Sequence, residues 1–241
     1  MQKALALFSI CLLLSCGNTP SDTLIVKGNI KGLKKGTVYL NKVKDTTVII
    51  LDSVTVNGNS NFTLQSTIDS PEIFYLDLNK NDNKLHRILF FGDKGITTIN
   101  TSVQRFAYDA KIVGSKQQKI LEEYINMSSK FNNKNLDLIK ENFEAIKEKD
   151  TALVSTTKKT QQSLIKRRYL YTANFAINNR DSEVAPYLVL TELYNANLTL
   201  LELVNDTLTS TIKDSNYGKE LQSFIDKIKK ENQLLTTASK K

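Results

Sequence analysis

Two cysteines, Cys11 and Cys16, and a single histidine, His86, are the residues whose types most restrict the chemistry open to this chain of 241 residues. Cys16 is preceded by Leu13-Leu14-Ser15 and followed at once by the polar run Gly17-Asn18-Thr19-Pro20. Upstream lie Lys3 and an apolar stretch from Ala4 to Leu14 that only Ser9 interrupts. A basic start, a short apolar run and a small residue before the cut are the layout of an export leader, and a membrane-spanning helix would need about 20 apolar residues.

The Leu13-Leu14-Ser15-Cys16 ending resembles a lipobox, in which the cysteine becomes the first residue of the mature chain and its sulfur carries lipid. The expectation is a signal peptide over 1–15, lipidation at Cys16 and a lipidated tether over 16–22; the alternative is an ordinary secretory leader that contains a cysteine. One acyl chain, such as a palmitate, binds a bilayer only marginally, so durable attachment needs several. Gly17 is not the aspartate that retains some lipoproteins at the inner membrane, which favours the outer membrane of a cell envelope. In the mature chain Cys11 is then gone and the Cys16 sulfur is consumed. A disulfide, a thiol nucleophile, a redox cysteine pair and a thiolate metal site are all excluded on this reading.

The other candidates for chemistry are weaker. His86 would need further ligands of suitable type to hold a metal, and a lone strand histidine is an ordinary structural residue. Asp52-Ser53 has the composition of a nucleophile pair, but a serine hydrolase also needs a base, and an aspartate in a strand more simply accepts from nearby backbone N–H groups. The carboxylate pairs Glu122-Glu123, Glu141-Glu144 and Asp77-Asp82 read as solvated faces in the absence of a cleft that would raise one pKa. Lys166-Arg167-Arg168 with Lys158-Lys159 is the densest basic cluster, suited to lipid phosphates or an acidic partner if it is more than a solvated helix face. Tyr169, Tyr171 and Phe175 nearby are expected in the core. No catalytic, cofactor-binding or metal residue is therefore assigned. The net charge of +8 comes with no recognisable nucleic-acid module, so no nucleic-acid partner is expected, and attraction to anionic lipid explains the charge equally well.

The elements that would carry these residues fall into two kinds. Between Thr23 and Val113 the hydrophobic period is two: Leu24, Val26 and Ile30 share one strand face, Lys27, Asn29 and Lys31 the other. Further strands are expected at 37–41, 47–56, 61–65, 73–78, 85–91 and 96–101, as an antiparallel meander or sandwich. Asn57-Gly58-Asn59 and Gly92-Asp93-Lys94-Gly95 read as hairpin turns. After Gly114 the period becomes helical. Stripes appear at Ile120, Leu121, Tyr124 and Ile125, at Leu136, Ile139, Phe143 and Ile146, and at Leu221, Phe224, Ile225 and Ile228. Helices are expected over 158–177 and 184–204, with Asp181 or Ser182 capping the second and Pro186 in its first turn. The fold expected is α+β: an antiparallel β-sandwich-like domain over 23–113 and a helical domain over 114–241.

Four segments carry a further likeness: Val26 to Leu33, Leu51 to Val56 with Asn61-Phe62, Phe90 to Thr97, and Ile112 to Lys116. Their order resembles a family of N-terminal domains of unknown function found in lipoproteins that continue into a thioredoxin-like, AhpC/TSA-type thiol-disulfide oxidoreductase domain. Asp181 to Leu188 and Asp214 to Lys219 also resemble phrases of that family's linker helices. No Cys-x-x-Cys follows before Lys241, so the resemblance implies the binding or spacer half alone and transfers no catalytic residue. The function expected is that of a membrane-anchored envelope lipoprotein acting as a non-catalytic binding or interaction module. The alternative is an accessory that docks a separate thioredoxin-like enzyme. The partners expected are the membrane and either an envelope protein or a periplasmic oxidoreductase.

Lipidation predicts that Cys16→Ser abolishes incorporation of a fatty-acid analogue and releases the protein from the membrane fraction. A labelled, membrane-retained variant would refute the anchor.

Overall fold

The computed structural model describes residues 22–44, 46–79 and 86–238. The leader, Cys11, Cys16 and the tether up to residue 21 lie outside the described residues, as does Asp82.

Eight strands form the first part of the chain: β1 (Thr23–Lys31), β2 (Lys35–Lys44), β3 (Thr47–Asn57), β4 (Asn61–Thr67), β5 (Glu72–Leu78), β6 (Arg87–Gly92), β7 (Gly95–Ser102) and β8 (Lys111–Val113). They make two four-stranded sheets, ordered β4-β1-β7-β8 and β3-β2-β5-β6. The expected alternation holds in β1, where Leu24, Val26 and Ile30 are fully buried. They meet Val38, Leu40, Phe74, Leu76, Phe90 and Ile99 between the sheets. The arrangement is α+β and sandwich-like, but β1 and β7 run parallel, so the first sheet is mixed rather than wholly antiparallel.

The two glycine turns have a different job from the one their sequence suggests. Gly58 and Gly95 do adopt the left-handed backbone, with φ of 87° and 103°. Yet β3 pairs with β2 and β4 with β1, while β6 pairs with β5 and β7 with β1. Each glycine therefore carries the chain from one sheet to the other. A tight turn bends the chain in the same way whether the next strand joins the same ladder or crosses the sandwich, so the local signal cannot tell the two apart.

Six helices follow: α1 (Lys116–Lys147), α2 (Thr151–Asn178), α3 (Val184–Glu192), α4 (Leu198–Thr207), α5 (Ser210–Lys213) and α6 (Asn216–Ala238). Ser115 caps α1 by accepting from the Gln118 N–H (2.9 Å), and Asp150 starts α2 seven residues before the expected position by accepting from Leu153 (2.9 Å). The single helix expected over 184–204 is two, because Asn197 accepts from the Leu200 N–H (2.9 Å) and begins α4 afresh. Glu183, not Asp181 or Ser182, occupies the cap position of α3, although Ser182 Oγ still accepts from the Val184 N–H (3.2 Å). Asp181 pairs instead with Lys116 (3.3 Å). The stripe of α6 is buried as expected, with Leu221 and Ile225 under 2% exposed among Val189, Leu201 and Val204. The middle stripe of α1 is not. Leu136, Ile139, Phe143 and Ile146 are 48–61% exposed, and the distal half of the helix packs on α2 through Leu138 and Ala145 instead.

A third cluster joins strands to helices. Ile73 and Phe91, opposite each other in β5 and β6, turn their side chains outward onto Ile120, Leu121, Tyr124, Val184 and Leu188. Phe91 meets Tyr187 edge-on at 5.8 Å and Tyr217 at 6.0 Å, and these two tyrosine rings are 5.5 Å apart. The backbone is joined as well. Phe91 N–H donates to Gln118 Oε1 (2.7 Å), Ser115 Oγ donates to Phe91 O (2.9 Å) and Ile73 N–H donates to the Tyr217 hydroxyl (3.1 Å). Burial pushes the Tyr187 hydroxyl pKa up to about 12, with the neighbouring Tyr75 and Glu192 adding to the rise. Burial likewise raises Tyr217 above the ordinary tyrosine range, against a lowering by the Ile73 N–H.

Gln118→Ala strands the buried Phe91 N–H, and the expected loss is about 1–3 kcal/mol in urea unfolding; an unchanged midpoint would show that the clamp is idle. Tyrosines held neutral in the fold but ionising freely in the unfolded chain give stability that is intact below pH about 10 and lost as pH rises through about 12. Tyr187→Phe with Tyr217→Phe should flatten that alkaline loss in thermal unfolding, and an undiminished loss would refute the assignment.

Candidate functional site

The longest irregular stretch among the described strands joins β7 to β8, and it is built by short-range bonds. Thr101 Oγ1 donates to Phe106 O (2.6 Å), Ser102 Oγ to Asp109 Oδ2 (2.7 Å) and Asp109 N–H to Arg105 O (2.8 Å). Phe106 is buried in the sandwich core, which pins the middle of the loop. Arg105 is left at the surface, paired with Asp109 (3.3 Å) and lying over the Tyr108 ring at 6.0 Å, with Tyr108 itself 70% exposed.

Two cavities meet at this loop. One, of about 330 Å³, is lined by His86, Val103, Gln104, Arg105, Phe106 and Tyr108. The other is an open groove of about 730 Å³ running from Tyr108, Asp109 and Lys111 across Asn29, Lys31 and Asn100 on the outer face of the first sheet. Both fall in the size range of small-molecule sites. The floor of the groove is a row of amides set by register, since Asn29 lies opposite both Asn61 and Asn100, and Asn100 opposite Lys111. Asn29 Nδ2 donates to Asn61 Oδ1 (2.8 Å) and to Ser60 Oγ (2.7 Å), and Asn29 N–H donates to Asn100 Oδ1 (3.0 Å). Two cations, Lys31 and Lys111, thus line the groove with one carboxylate, Asp109, which Ser102 engages together with Arg105 from the smaller cavity. This is equipment for holding a polar, acidic group.

The residues singled out in the sequence fare as follows. His86 stands just before β6 in the wall of the smaller cavity, and its Nδ1 is buried without a hydrogen-bond partner among the described residues. Asp52 accepts from two backbone N–H groups, Ser53 (2.7 Å) and Gln65 (2.8 Å), and so ties β3 to β4 across the sandwich edge. Asp77 is buried and held by Arg87 (2.6 and 2.8 Å) and Asn41 (2.7 Å). Glu122 accepts from Gln118 Nε2 (2.8 Å) and Glu144 pairs with Lys147 (3.6 Å). Arg168 turns to Glu192 (2.6 Å), which leaves Lys158, Lys159, Lys166 and Arg167 exposed on α2. Tyr171 and Phe175 join the seam around Tyr124, and Tyr169 the helical core. Among the described residues, no group of three or more His, Cys, Asp or Glu is placed to hold a metal ion. The cavity residues Arg105, Tyr108, Asp109 and Lys111 were not singled out in the sequence; the spacing of Arg105, Tyr108 and Asp109, which fits a single helical turn, was the only signal.

Residues 24–121 match the family model of a domain of unknown function, DUF4369. The matched stretch takes in nearly all of the eight strands, both cavities, and the start of α1 as far as Leu121, including the Ser115 and Gln118 clamp. No curated protein matches the chain.

Proposed function

We propose that this protein is a lipid-anchored module of the cell envelope that holds a polar, acidic ligand in the groove of the β7–β8 loop without transforming it. The observation that carries the reading is the excess of Lys31 and Lys111 over Asp109 in an open groove that amides also line, with Arg105 in the adjoining cavity and the exposed Tyr108 ring between them. Charged donors arranged this way favour phosphate or carboxylate groups, while the amides and the aromatic ring suit a hydroxyl-rich body. Asp109 is already engaged by Arg105 and Ser102. The anchor rests on Lys3, the short apolar run and Leu13-Leu14-Ser15-Cys16. The outer membrane is favoured by Gly17, and the attached acyl chains would include palmitate-type lipid.

A second reading is an accessory docking a separate thioredoxin-like oxidoreductase. It draws on the likeness of residues 23–116 to the N-terminal half of AhpC/TSA-type lipoproteins, and on the domain match over nearly the same stretch. Recovery of such an enzyme with the lipidated protein would favour it.

The ligand reading is tested by amide NMR titration with a phosphorylated oligosaccharide and its neutral counterpart. Shifts centred on Asn100, Tyr108, Asp109 and Lys111 are expected with the phosphorylated form, and Arg105→Ala with Lys111→Ala should weaken binding roughly tenfold. Shifts centred elsewhere, equal binding of the neutral form, or appearance of a product would overturn it.

A further inference from the structure

The helical part carries an arm with no role in the groove. α1 and α2, of 32 and 28 residues, form an antiparallel hairpin whose longer arm extends about 48 Å at 1.5 Å per residue. At its base α1 is buried on β6 and α3 through Ile120, Leu121 and Tyr124. Toward the tip the arms hold each other, through Asn135 with Gln161 (2.9 Å) and Asn142 with Thr157 (2.6 Å). In that half, Leu138 and Ala145 are the buried residues of α1, whereas Leu136 (61%), Ile139 (48%), Phe143 (56%) and Ile146 (55%) stand bare in one row.

The charges around this row are sorted. At about 100° per residue, Lys140 and Lys147 border it, while Asp137, Glu141 and Glu148 fall on the other side of the helix and Glu144, between the two, pairs with Lys147 (3.6 Å). Lys147 Nζ sits 4.5 Å above the Phe143 ring. α2 has five basic residues and no acidic one. Because antiparallel right-handed helices turn in opposite senses when viewed from one end, the α2 row containing Lys158 and Ile165, seven residues apart, lies on the same side of the hairpin as the bare row. Ile165 is 47% exposed. An apolar row with an aromatic ring, lysines on its flanks and carboxylates turned away is the pattern of a helix that lies in a membrane interface.

We infer that the α1–α2 hairpin rests on an anionic phospholipid surface, with Leu136, Ile139, Phe143 and Ile146 sunk among the headgroups and Lys140 and Lys158 against lipid phosphates. The occupant is lipid rather than a second copy of the chain, because basic flanks such as these repel in a self-complementary pairing and are neutralised by anionic headgroups. The inference deepens the envelope reading but does not depend on the anchor at Cys16 or on the groove.

The chain starting at Gly17 retains every described residue, lacks the acylated cysteine and contains no tryptophan. Phe143→Trp therefore places a single reporter in the row, and Asp137→Trp places one on the side turned away. With vesicles of phosphatidylglycerol and phosphatidylcholine, the fluorescence of Phe143→Trp should shift to the blue while that of Asp137→Trp stays put. In flotation assays Ile139→Ser with Phe143→Ser, both exposed sites, should lower binding at least about tenfold, and Lys140→Glu with Lys158→Glu should remove the preference for anionic over purely zwitterionic vesicles. Unchanged circular dichroism melting verifies that the variants fold. Equal binding of the serine variant, a blue shift of both reporters, or a wild-type dimer that the serine variant makes monomeric would overturn the inference, the last by assigning the row to a second copy. Failure of Cys16 labelling, or of the groove titration, leaves it standing.

Discussion

Phe91 ties the two halves of this molecule together, and it does so with its backbone as well as its ring. β6 is an edge strand of its sheet, so the outward N–H and C=O of Phe91 have no neighbouring strand to bond. Ser115 and Gln118, the cap and first turn of α1, take both groups. On the far side of the same β5–β6 pair, β2 has parted from β5 after Asn41, and the Tyr217 hydroxyl accepts the Ile73 N–H in its place. A buried backbone group left unpaired costs about as much as a lost hydrogen bond, so the helices complete a sheet that would otherwise end in unsatisfied positions. The matched domain of unknown function ends just beyond this clamp, at Leu121.

The second sheet thus has two sides of different character. Phe74, Leu76, Leu78 and Phe90 face the sandwich, while Ile73, Tyr75, Asp77 and Phe91 face outward. Near the clamp the outward face is aromatic and covered by helices. Farther along it becomes a bonded polar set, Asp77 with Arg87 and Asn41, where the Arg87 guanidinium also lies 5.1 Å over the Tyr75 ring. Asp77 is buried within this set.

The first sheet differs: among the described residues the Asn61, Asn29, Asn100 and Lys111 row lies on its outer face, and the β7–β8 loop adds Tyr108 beside it. The hairpin offers the opposite kind of surface, apolar along α1 and basic along α2.

By itself the sequence determined the order of elements and the faces of most of them, because alternation in β1 and the Leu221, Ile225 row of α6 reflect the periods of isolated strands and helices. The leader and the lipidation at Cys16 are expectations from the linear sequence, on residues outside the described ones. Tertiary structure decided what local pattern leaves open. Gly58 and Gly95 mark turns in either setting, and only the pairing of β1 with β4 and β7 made them crossings between sheets. The Leu136 to Ile146 row is as amphipathic as a core-facing stripe, yet nothing among the described residues beyond α2 reaches the tip of the hairpin to cover it. The groove unites Lys31, Asn100, Tyr108 and Lys111 from two strands, a loop and a third strand, which strand register and the burial of Phe106 bring together and which no spacing along the chain encodes.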